Sequence, residues 1–143
     1  MTTMTAQATQ VYQLYIRATP EAIWDAITKP EFTQKYFYGV PVRVTPETYD
    51  GADSAQGSVL EFEPNRRLVH TWRSLYDDDM AAEPESRVTW EIEPQENGTS
   101  LLTVVHDQLD ASPKTAASVS GIGWMLVLSG LKTLLETGKP LAN

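Results

Sequence analysis

The last thirty residues constrain the fold of this chain more than any other stretch. Residues 123–135 read G-W-M-L-V-L-S-G-L-K-T-L-L. At about 100° per residue, their main apolar side chains fall in a sector roughly 120° wide. That sector consists of Trp124, Val127, Leu128, Leu131, Leu134 and Leu135. Nearly everything from Val40 to this stretch reads as short strands, so we predict one amphipathic helix laid across the concave face of a sheet. Such an arrangement often leaves a cavity between helix and sheet.

A strand and two short helices are predicted before the main run of strands. Residues 11–17 alternate in polarity and predict the first strand. Thr19-Pro20-Glu21 then predicts a helix start, because it supplies a capping hydroxyl, a proline at the first helical position and a carboxylate near the positive helix end. Pro30-Glu31 begins a second short helix, which Gly39 and Pro41 end.

Alternating polarity predicts four further strands, at residues 58–63, 67–74, 87–93 and 101–107. Asn97-Gly98 predicts a tight hairpin between the last two, since both residues accept a positive φ. The signal is weak over residues 42–56, where prolines and glycines interrupt the pattern. We expect residues 109–120 to be a linker, and Gly138 and Pro140 to end the terminal helix.

The order of these elements resembles the helix-grip fold of the START-like (SRPBCC) superfamily. Four segments narrow the resemblance: A-T-P-E-A-I-W-D-A-I-T-K-P-E at 18–31, V-L-E-F-E-P-N-R-R-L-V-H-T-W at 59–72, G-T-S-L-L-T-V-V-H at 98–106 and G-W-M-L-V-L-S-G-L-K-T-L-L-E-T-G at 123–138. Together they resemble the subfamily named after the C-terminal domain of the activator of the 90-kDa heat-shock-protein ATPase. The resemblance implies an α+β fold in which a curved antiparallel β-sheet wraps around a long C-terminal α-helix, with two short helices after the first strand.

The resemblance also implies the domain organisation. We expect residues 1–10 to be a disordered N-terminus, residues 11–138 to form a single START-like helix-grip domain, and residues 139–143 to be a tail. Eukaryotic chaperone activators of this subfamily carry an additional N-terminal domain. Because the first predicted strand begins about ten residues into the chain, we expect no such domain here.

Composition argues against several classes of function. The chain has no cysteine, which excludes disulfide scaffolds, thiolate metal sites and thiol catalysis. Its net charge is −8 and its basic residues are scattered, so nucleic acid and anionic membranes are poor partners. Residues 1–10 lack the pattern of a signal peptide, and we find no apolar run near the ~18 residues that span a bilayer, so we expect a cytoplasmic protein. We expect no metal and no cofactor, since the two histidines lack an inward carboxylate.

Aromatic and imidazole side chains on inward faces predict a pocket. Taken one at a time, each is a plausible core residue. Together they bring many N–H, O–H and ring-nitrogen groups inward, and each of these needs a partner when it is buried. A cavity holding a ligand or water would supply those partners. We therefore predict a cavity between sheet and C-terminal helix, with Phe37 and Tyr38 near its entrance and a lining of Tyr12, His70, Trp72, Trp90, His106, Trp124 and Leu128.

Three functions stay open at this point. The first is the binding of a hydrophobic small molecule, lipid-like or aromatic, by a monomer or a homodimer. The second is a cyclase- or hydrolase-like enzyme with His70 or His106 as general base, because imidazole titrates near neutrality; a histidine satisfied by a neighbouring carbonyl or tyrosine is the competing interpretation. The resemblance alone implies the third, a co-factor that stimulates a heat-shock-protein ATPase. Leu126, on the polar face of the last helix, hints at a dimer contact.

Overall fold

A seven-stranded antiparallel sheet forms the body of the protein. The computed structural model describes residues 9–119 and 122–141, and within them the strand order is β1-β7-β6-β5-β4-β3-β2. The strands are β1 (Gln10–Ile16), β2 (Arg43–Val44), β3 (Thr48–Gly51), β4 (Ala55–Glu63), β5 (Arg67–Ser74), β6 (Ser86–Pro94) and β7 (Ser100–Asp107). Because β1 and β2 occupy opposite edges, the segment between them has to cross the sheet.

Five helices accompany the sheet within the described residues: α1 (Pro20–Thr28), α2 (Pro30–Thr33), α3 (Asp78–Ala81), α4 (Pro113–Val119) and α5 (Ile122–Thr137). The predicted start of α1 is confirmed, since Thr19 Oγ1 accepts a hydrogen bond from the Ala22 amide at 3.2 Å. Asp77 caps α3 in the same way, through the Met80 amide at 2.7 Å. The helix-grip architecture predicted from the sequence, a curved antiparallel sheet with two short helices after β1 and a long C-terminal helix, is confirmed.

The helix α4 corrects the expectation of a linker over residues 109–120. Its first turn closes through a hydrogen bond from the Ala116 amide to the Ser112 carbonyl at 2.9 Å. The Ser112 hydroxyl donates to the Pro84 carbonyl at 2.6 Å, which ties the start of α4 to the segment before β6. Serine followed by proline is a helix-start signal. The short apolar pattern after it was too weak to predict a helix.

The start of β1 and the type of the hairpin turn differ from the prediction, as do the end of α2, at Thr33, and the start of β4, at Ala55. The strand β1 begins at Gln10, inside the segment expected to be disordered, while residues 1–8 of that segment lie outside the described residues. The Asn97-Gly98 hairpin has one positive φ rather than two, at Gly98 with +82°. The Gln95 amide donates to the Thr99 carbonyl at 2.8 Å, so the turn is a three-residue loop with glycine in the left-handed position.

The apolar stripe of α5 faces the core, as the sequence predicts. Trp124, Val127, Leu128, Leu131 and Leu134 are buried, whereas Met125 and Leu126 are exposed. By length and composition the stretch Pro113–Thr137, with mean hydropathy 1.4, would also pass for a membrane-spanning helix, which the sequence analysis did not anticipate. About half of its apolar window, 47%, is buried inside the domain, and the core helix of a domain can pass the same test of length and composition. The cytoplasmic location stays a prediction.

Gly57 lies where β4 approaches β5 too closely for any side chain. A Cβ atom at this position would lie 1.9 Å from the Thr71 carbonyl oxygen. The neighbouring Ser58 amide donates to Thr71 Oγ1 at 2.8 Å, and the β4–β5 register shifts shortly afterwards, between Val59 and Glu61. Since the obstructing atom belongs to the backbone of an interior strand, it cannot rotate away.

The substitution Gly57→Ala is therefore expected to lower the free energy of unfolding by about 2–3 kcal/mol, because β4 must move away from β5. Urea denaturation monitored by tryptophan fluorescence measures this change. The exposed neighbour supplies a matched control, Ser58→Ala, which we expect to stay within about 0.5 kcal/mol of the unmodified protein. Equal stabilities for the two variants would contradict the close approach.

Candidate functional site

An apolar cavity of about 390 Å³ lies between β5, the turn after α2 and the facing ends of α4 and α5. The described residues that line it are Phe37, Tyr38, Trp72, Tyr76, Ser118, Val119, Gly123, Trp124 and Val127. None of these residues carries a charge at neutral pH. Tyr38 and Tyr76 are 52% and 54% exposed, so they form the mouth of the cavity. An apolar cavity with a few polar groups is typical of a small-molecule site.

Three aromatic rings form the wall of the cavity. The ring centroids of Phe37 and Trp72 are 6.3 Å apart, and those of Phe37 and Trp124 are 6.4 Å apart with the planes at 85°. The ring centroids of Trp72 and Trp124 are 6.2 Å apart. These tilted and edge-on contacts lie within the range that aromatic pairs favour, so the three rings support one another in fixed orientations. The wall is therefore rigid and presents ring faces and edges to the cavity.

Tyr38 joins the mouth of the cavity to α5. Its backbone is in the left-handed region, with φ of 53°, and its hydroxyl donates a hydrogen bond to the Gly123 carbonyl at 3.2 Å. Desolvation and the neighbouring phenol of Tyr76 raise the pKa of Tyr38, so the hydroxyl stays neutral at physiological pH. One hydrogen bond in a solvent-exposed position thus holds this side of the mouth.

Glu83 organises the opposite side of the mouth. Its carboxylate accepts hydrogen bonds from the backbone amides of Lys114 and Thr115, both at 2.9 Å, and from the Thr115 hydroxyl at 2.7 Å. A carboxylate on the first amides of a helix satisfies their free N–H groups and interacts favourably with the helix dipole. The contact sets the direction of α4, whose last residues, Ser118 and Val119, line the cavity.

His106 lies in a hydrogen-bonded chain outside the cavity. The Trp124 indole donates to His106 Nδ1 at 3.1 Å, and His106 Nε2 lies 2.7 Å from the Ser86 hydroxyl. Because Nδ1 accepts, the proton of the neutral ring is on Nε2 and is donated to Ser86. The Ser86 hydroxyl donates onward to the Trp72 carbonyl at 3.4 Å. Both nitrogens of this imidazole are therefore occupied by protein groups.

His70, on β5, is also hydrogen-bonded through both ring nitrogens, two strands away from His106 on β7. The Trp90 indole donates to His70 Nε2 at 3.0 Å, and His70 Nδ1 donates to the Thr71 carbonyl at 2.9 Å. The Tyr49 ring stacks on the imidazole with centroids 3.9 Å apart and planes within 7°. Within the part of the chain that the structure describes, every buried side-chain nitrogen or oxygen has a partner of this kind.

Burial keeps both imidazoles neutral. Desolvation lowers the pKa of His70 to about 4. Desolvation, together with the charge that His70 would carry, lowers the pKa of His106 to about 3. Both rings are fully buried and neither has a free nitrogen, so neither is placed to take a proton from a substrate in the cavity. The structure thus gives the general-base hypothesis no support.

The cavity brings together four of the nine predicted site residues: Phe37, Tyr38, Trp72 and Trp124. The other five do not line it: Tyr12, His70, Trp90, His106 and Leu128. The polar groups of Tyr12, His70, Trp90 and His106 are hydrogen-bonded to other protein groups, and Leu128 is buried in the core. Five further residues line the cavity without having been predicted as lining residues from the sequence: Tyr76, Ser118, Val119, Gly123 and Val127. The apolar stripe of the last helix already included Val127 among the inward residues. Ser118 and Val119 lie on α4, in the segment expected to be a linker, so no sequence signal marked them as lining residues.

The fold and the cavity define the class of protein: a helix-grip α+β domain with an apolar cavity beside its C-terminal helix. A family model described as "Activator of Hsp90 ATPase homolog 1-like protein" matches residues 17–136. The chain belongs to this family. The resemblance inferred from the sequence is thereby confirmed. A comparison with curated proteins gave no match.

Solved structures share the fold at low sequence identity. The crystal structure of CalU16 from Micromonospora echinospora has a TM-score of 0.73 and 23% identity, with 94% of this chain and 77% of that chain covered. An HSP90 activator from Plasmodium falciparum has a TM-score of 0.73 and 18% identity, covering 90% and 96% of the two chains. The Aha1 dimer from Colwellia psychrerythraea has a TM-score of 0.71 and 17% identity, covering 93% and 99%. At these identities the likeness shows the fold alone.

Lowering the pH from 7 to 5 is expected to destabilise the protein. The unfolded chain binds protons at both histidines below about pH 6.5, whereas the folded protein does not until the pH approaches 4 and 3, so stability falls as the pH falls. The two histidines together remove roughly 3–4 kcal/mol of unfolding free energy over this interval. Urea denaturation at a series of pH values measures the loss.

The substitution His70→Gln supplies the control for this prediction, since an amide can accept from the Trp90 indole and donate to the Thr71 carbonyl without titrating. We expect this variant to lose about half as much stability between pH 7 and pH 5. The chain has two histidines and no cysteine, so few other groups titrate in this window. Equal stability of the unmodified protein at the two pH values would show that the imidazoles are not buried in neutral form.

Proposed function

We propose that the protein binds a hydrophobic small molecule, aromatic or lipid-like, in the cavity beside α5. The observation that carries this proposal is the lining, in which described residues without charge surround about 390 Å³ of space. Three hydroxyl-bearing side chains, Tyr38, Tyr76 and Ser118, lie among them. A neutral apolar body loses little by leaving water for such a site. A charged body would have no partner within it.

The size of the cavity supports a ligand of two or three fused or linked rings, or a medium-length alkyl chain. Burying roughly 300 Å² of apolar ligand surface contributes about 7 kcal/mol before the costs of association. A free energy of about 7 kcal/mol corresponds to a dissociation constant of about 10 μM, and the association costs weaken binding further, so we expect a dissociation constant no tighter than about 10 μM. The rigid ring wall favours flat molecules, since stacking and edge contacts add to area burial.

The direct experiment uses N-phenyl-1-naphthylamine, a neutral two-part aromatic fluorophore whose emission rises in apolar surroundings. We expect saturable fluorescence enhancement at a stoichiometry of one, accompanied by quenching of tryptophan emission because Trp72 and Trp124 line the cavity. Native mass spectrometry of freshly purified protein complements it by revealing any ligand retained from the cell. Absence of saturable binding would overturn the proposal.

Filling the cavity is expected to abolish binding. Ser118 is exposed and lies at the rim, so Ser118→Trp adds bulk to the cavity without displacing a buried side chain. We expect it to weaken binding of N-phenyl-1-naphthylamine at least tenfold at an unchanged thermal midpoint. The adjacent substitution Ala117→Trp adds the same bulk to an exposed residue of α4 that is not part of the lining, and it should leave the affinity unchanged. Equal effects of the two variants would contradict the site.

Stimulation of a chaperone ATPase is a second candidate function. It is favoured by family membership, since the matching family takes its description from an activator of the Hsp90 ATPase. The likeness to the HSP90 activator from Plasmodium falciparum points the same way, although 18% identity shows the fold alone. Addition of the purified protein to an Hsp90-type ATPase tests it directly. An unchanged rate of ATP hydrolysis at saturating protein would overturn this candidate.

A further inference from the structure

A second depression adjoins the cavity on the other side of Tyr38. This groove, also about 390 Å³, lies between the turn after α2 and the outward face of α5. Its lining is Gln34, Lys35, Tyr36, Tyr38, Gly39, Leu126, Gly130 and Leu141. Tyr38 is the residue common to both linings, so cavity and groove adjoin at this residue.

The groove is amphipathic, unlike the cavity. Tyr38, Leu126 and Leu141 expose 52%, 42% and 48% of their surface there. Lys35 supplies a positive charge, and among residues 9–119 and 122–141 its ammonium has no ion-pair partner, whereas Lys29, Lys114 and Lys132 pair with carboxylates. An unpaired cation beside apolar walls suits an anionic group attached to an apolar body.

The Tyr38 side chain between the two spaces has few fixed contacts: its ring packs edge-on against Phe37, with centroids 6.3 Å apart, and its hydroxyl makes one hydrogen bond. The Tyr38 hydroxyl makes one hydrogen bond, to the Gly123 carbonyl, in a position open to water. The backbone on which the ring is mounted is in the left-handed region at both Tyr38 and Gly39, with φ of 53° and 75°. Water can replace the single exposed hydrogen bond at little cost, so rotation of the ring would join cavity and groove.

We propose that cavity and groove form one composite site for an amphiphilic anion, with its apolar body against the aromatic wall and its carboxylate at Lys35. Tyr38 is then the gate residue between the two compartments. The inference rests on the proposed function, because the apolar body occupies the same cavity, and it goes further by naming the charge of the ligand and the residue that recognises it. The protein's net charge of −8 makes a local cation the main attraction for an anion.

The test compares two competitors of equal chain length for bound N-phenyl-1-naphthylamine, decanoate and 1-decanol, at pH 8. In the unmodified protein we expect decanoate to displace the fluorophore at a concentration at least fivefold lower than 1-decanol. Lys35→Gln should abolish that preference by weakening decanoate alone, while Lys29→Gln, which removes an exposed lysine outside both linings, should keep it. Equal potency of decanoate and 1-decanol, or a preference that survives Lys35→Gln, would overturn the inference.

The variant Tyr38→Phe tests the gate. It keeps the ring and removes the hydrogen bond to Gly123, so we expect decanoate to bind with a faster association rate than in the unmodified protein. An unchanged association rate would remove Tyr38 from this role. Failure of the unmodified protein to bind N-phenyl-1-naphthylamine would overturn the proposed function and the composite site together, which separates that outcome from loss of the carboxylate preference alone.

A second copy of this chain is the competing occupant of the groove, because Leu126 and Met125 are exposed on the same helix. Light scattering of the unmodified protein and of Leu126→Glu distinguishes the two. A monomeric mass in both, with weaker decanoate binding in Leu126→Glu through charge repulsion, supports the composite site. A dimer that the substitution dissociates would assign the groove to self-association and overturn the proposal.

Discussion

The hydrogen bond from the Trp124 indole to the imidazole of His106, 3.1 Å long, is the interaction on which the rest of the structure depends. It joins α5 to β7, and His106 passes the connection to β6 through Ser86. Leaving one of these buried groups unpaired would cost about 1–3 kcal/mol, so helix and sheet can dock in this register and in few others. The other edge of the Trp124 ring then forms part of the cavity wall. The hydrogen bonds among Trp124, His106 and Ser86 thus position the cavity wall, although His106 and Ser86 do not line the cavity.

The imidazole and hydroxyl groups of this network lie in the core and mainly apolar side chains line the cavity, and this separation limits the chemistry available in the cavity. Imidazole, indole and hydroxyl groups that could have served a reaction are consumed in the core, where desolvation also lowers the pKa of both histidines. The space beside them is left with aromatic and aliphatic walls. For the ligand proposed above, such a site would select by shape and by the absence of charge. Where a charge is available, at Lys35, it lies beyond the Tyr38 ring, in a separate compartment.

Local patterns predicted the elements well and the site in part. The cap at Thr19, the alternation of the central strands and the apolar stripe of α5 each follow from side-chain direction within one element, and each is observed. The helix α4 was missed because a seven-residue helix offers too few turns for a period to be recognised. The inference of a cavity from unsatisfied inward polar groups rested on a premise that the structure contradicts. Those groups satisfy one another, and the cavity lies beside them.

The sequence by itself determined which side chains point inward, because helical and strand periods fix direction without reference to the rest of the chain. It therefore determined the class of fold and the candidate wall of Phe37, Trp72 and Trp124. Only the tertiary structure decided which inward groups meet and where space is left between them. His106 and Trp124 are 18 residues apart, and Tyr76 lines the same cavity as Ser118 and Val119 of α4. Contacts of this kind depend on how separate elements pack, and a void is a property of the whole packing rather than of any segment.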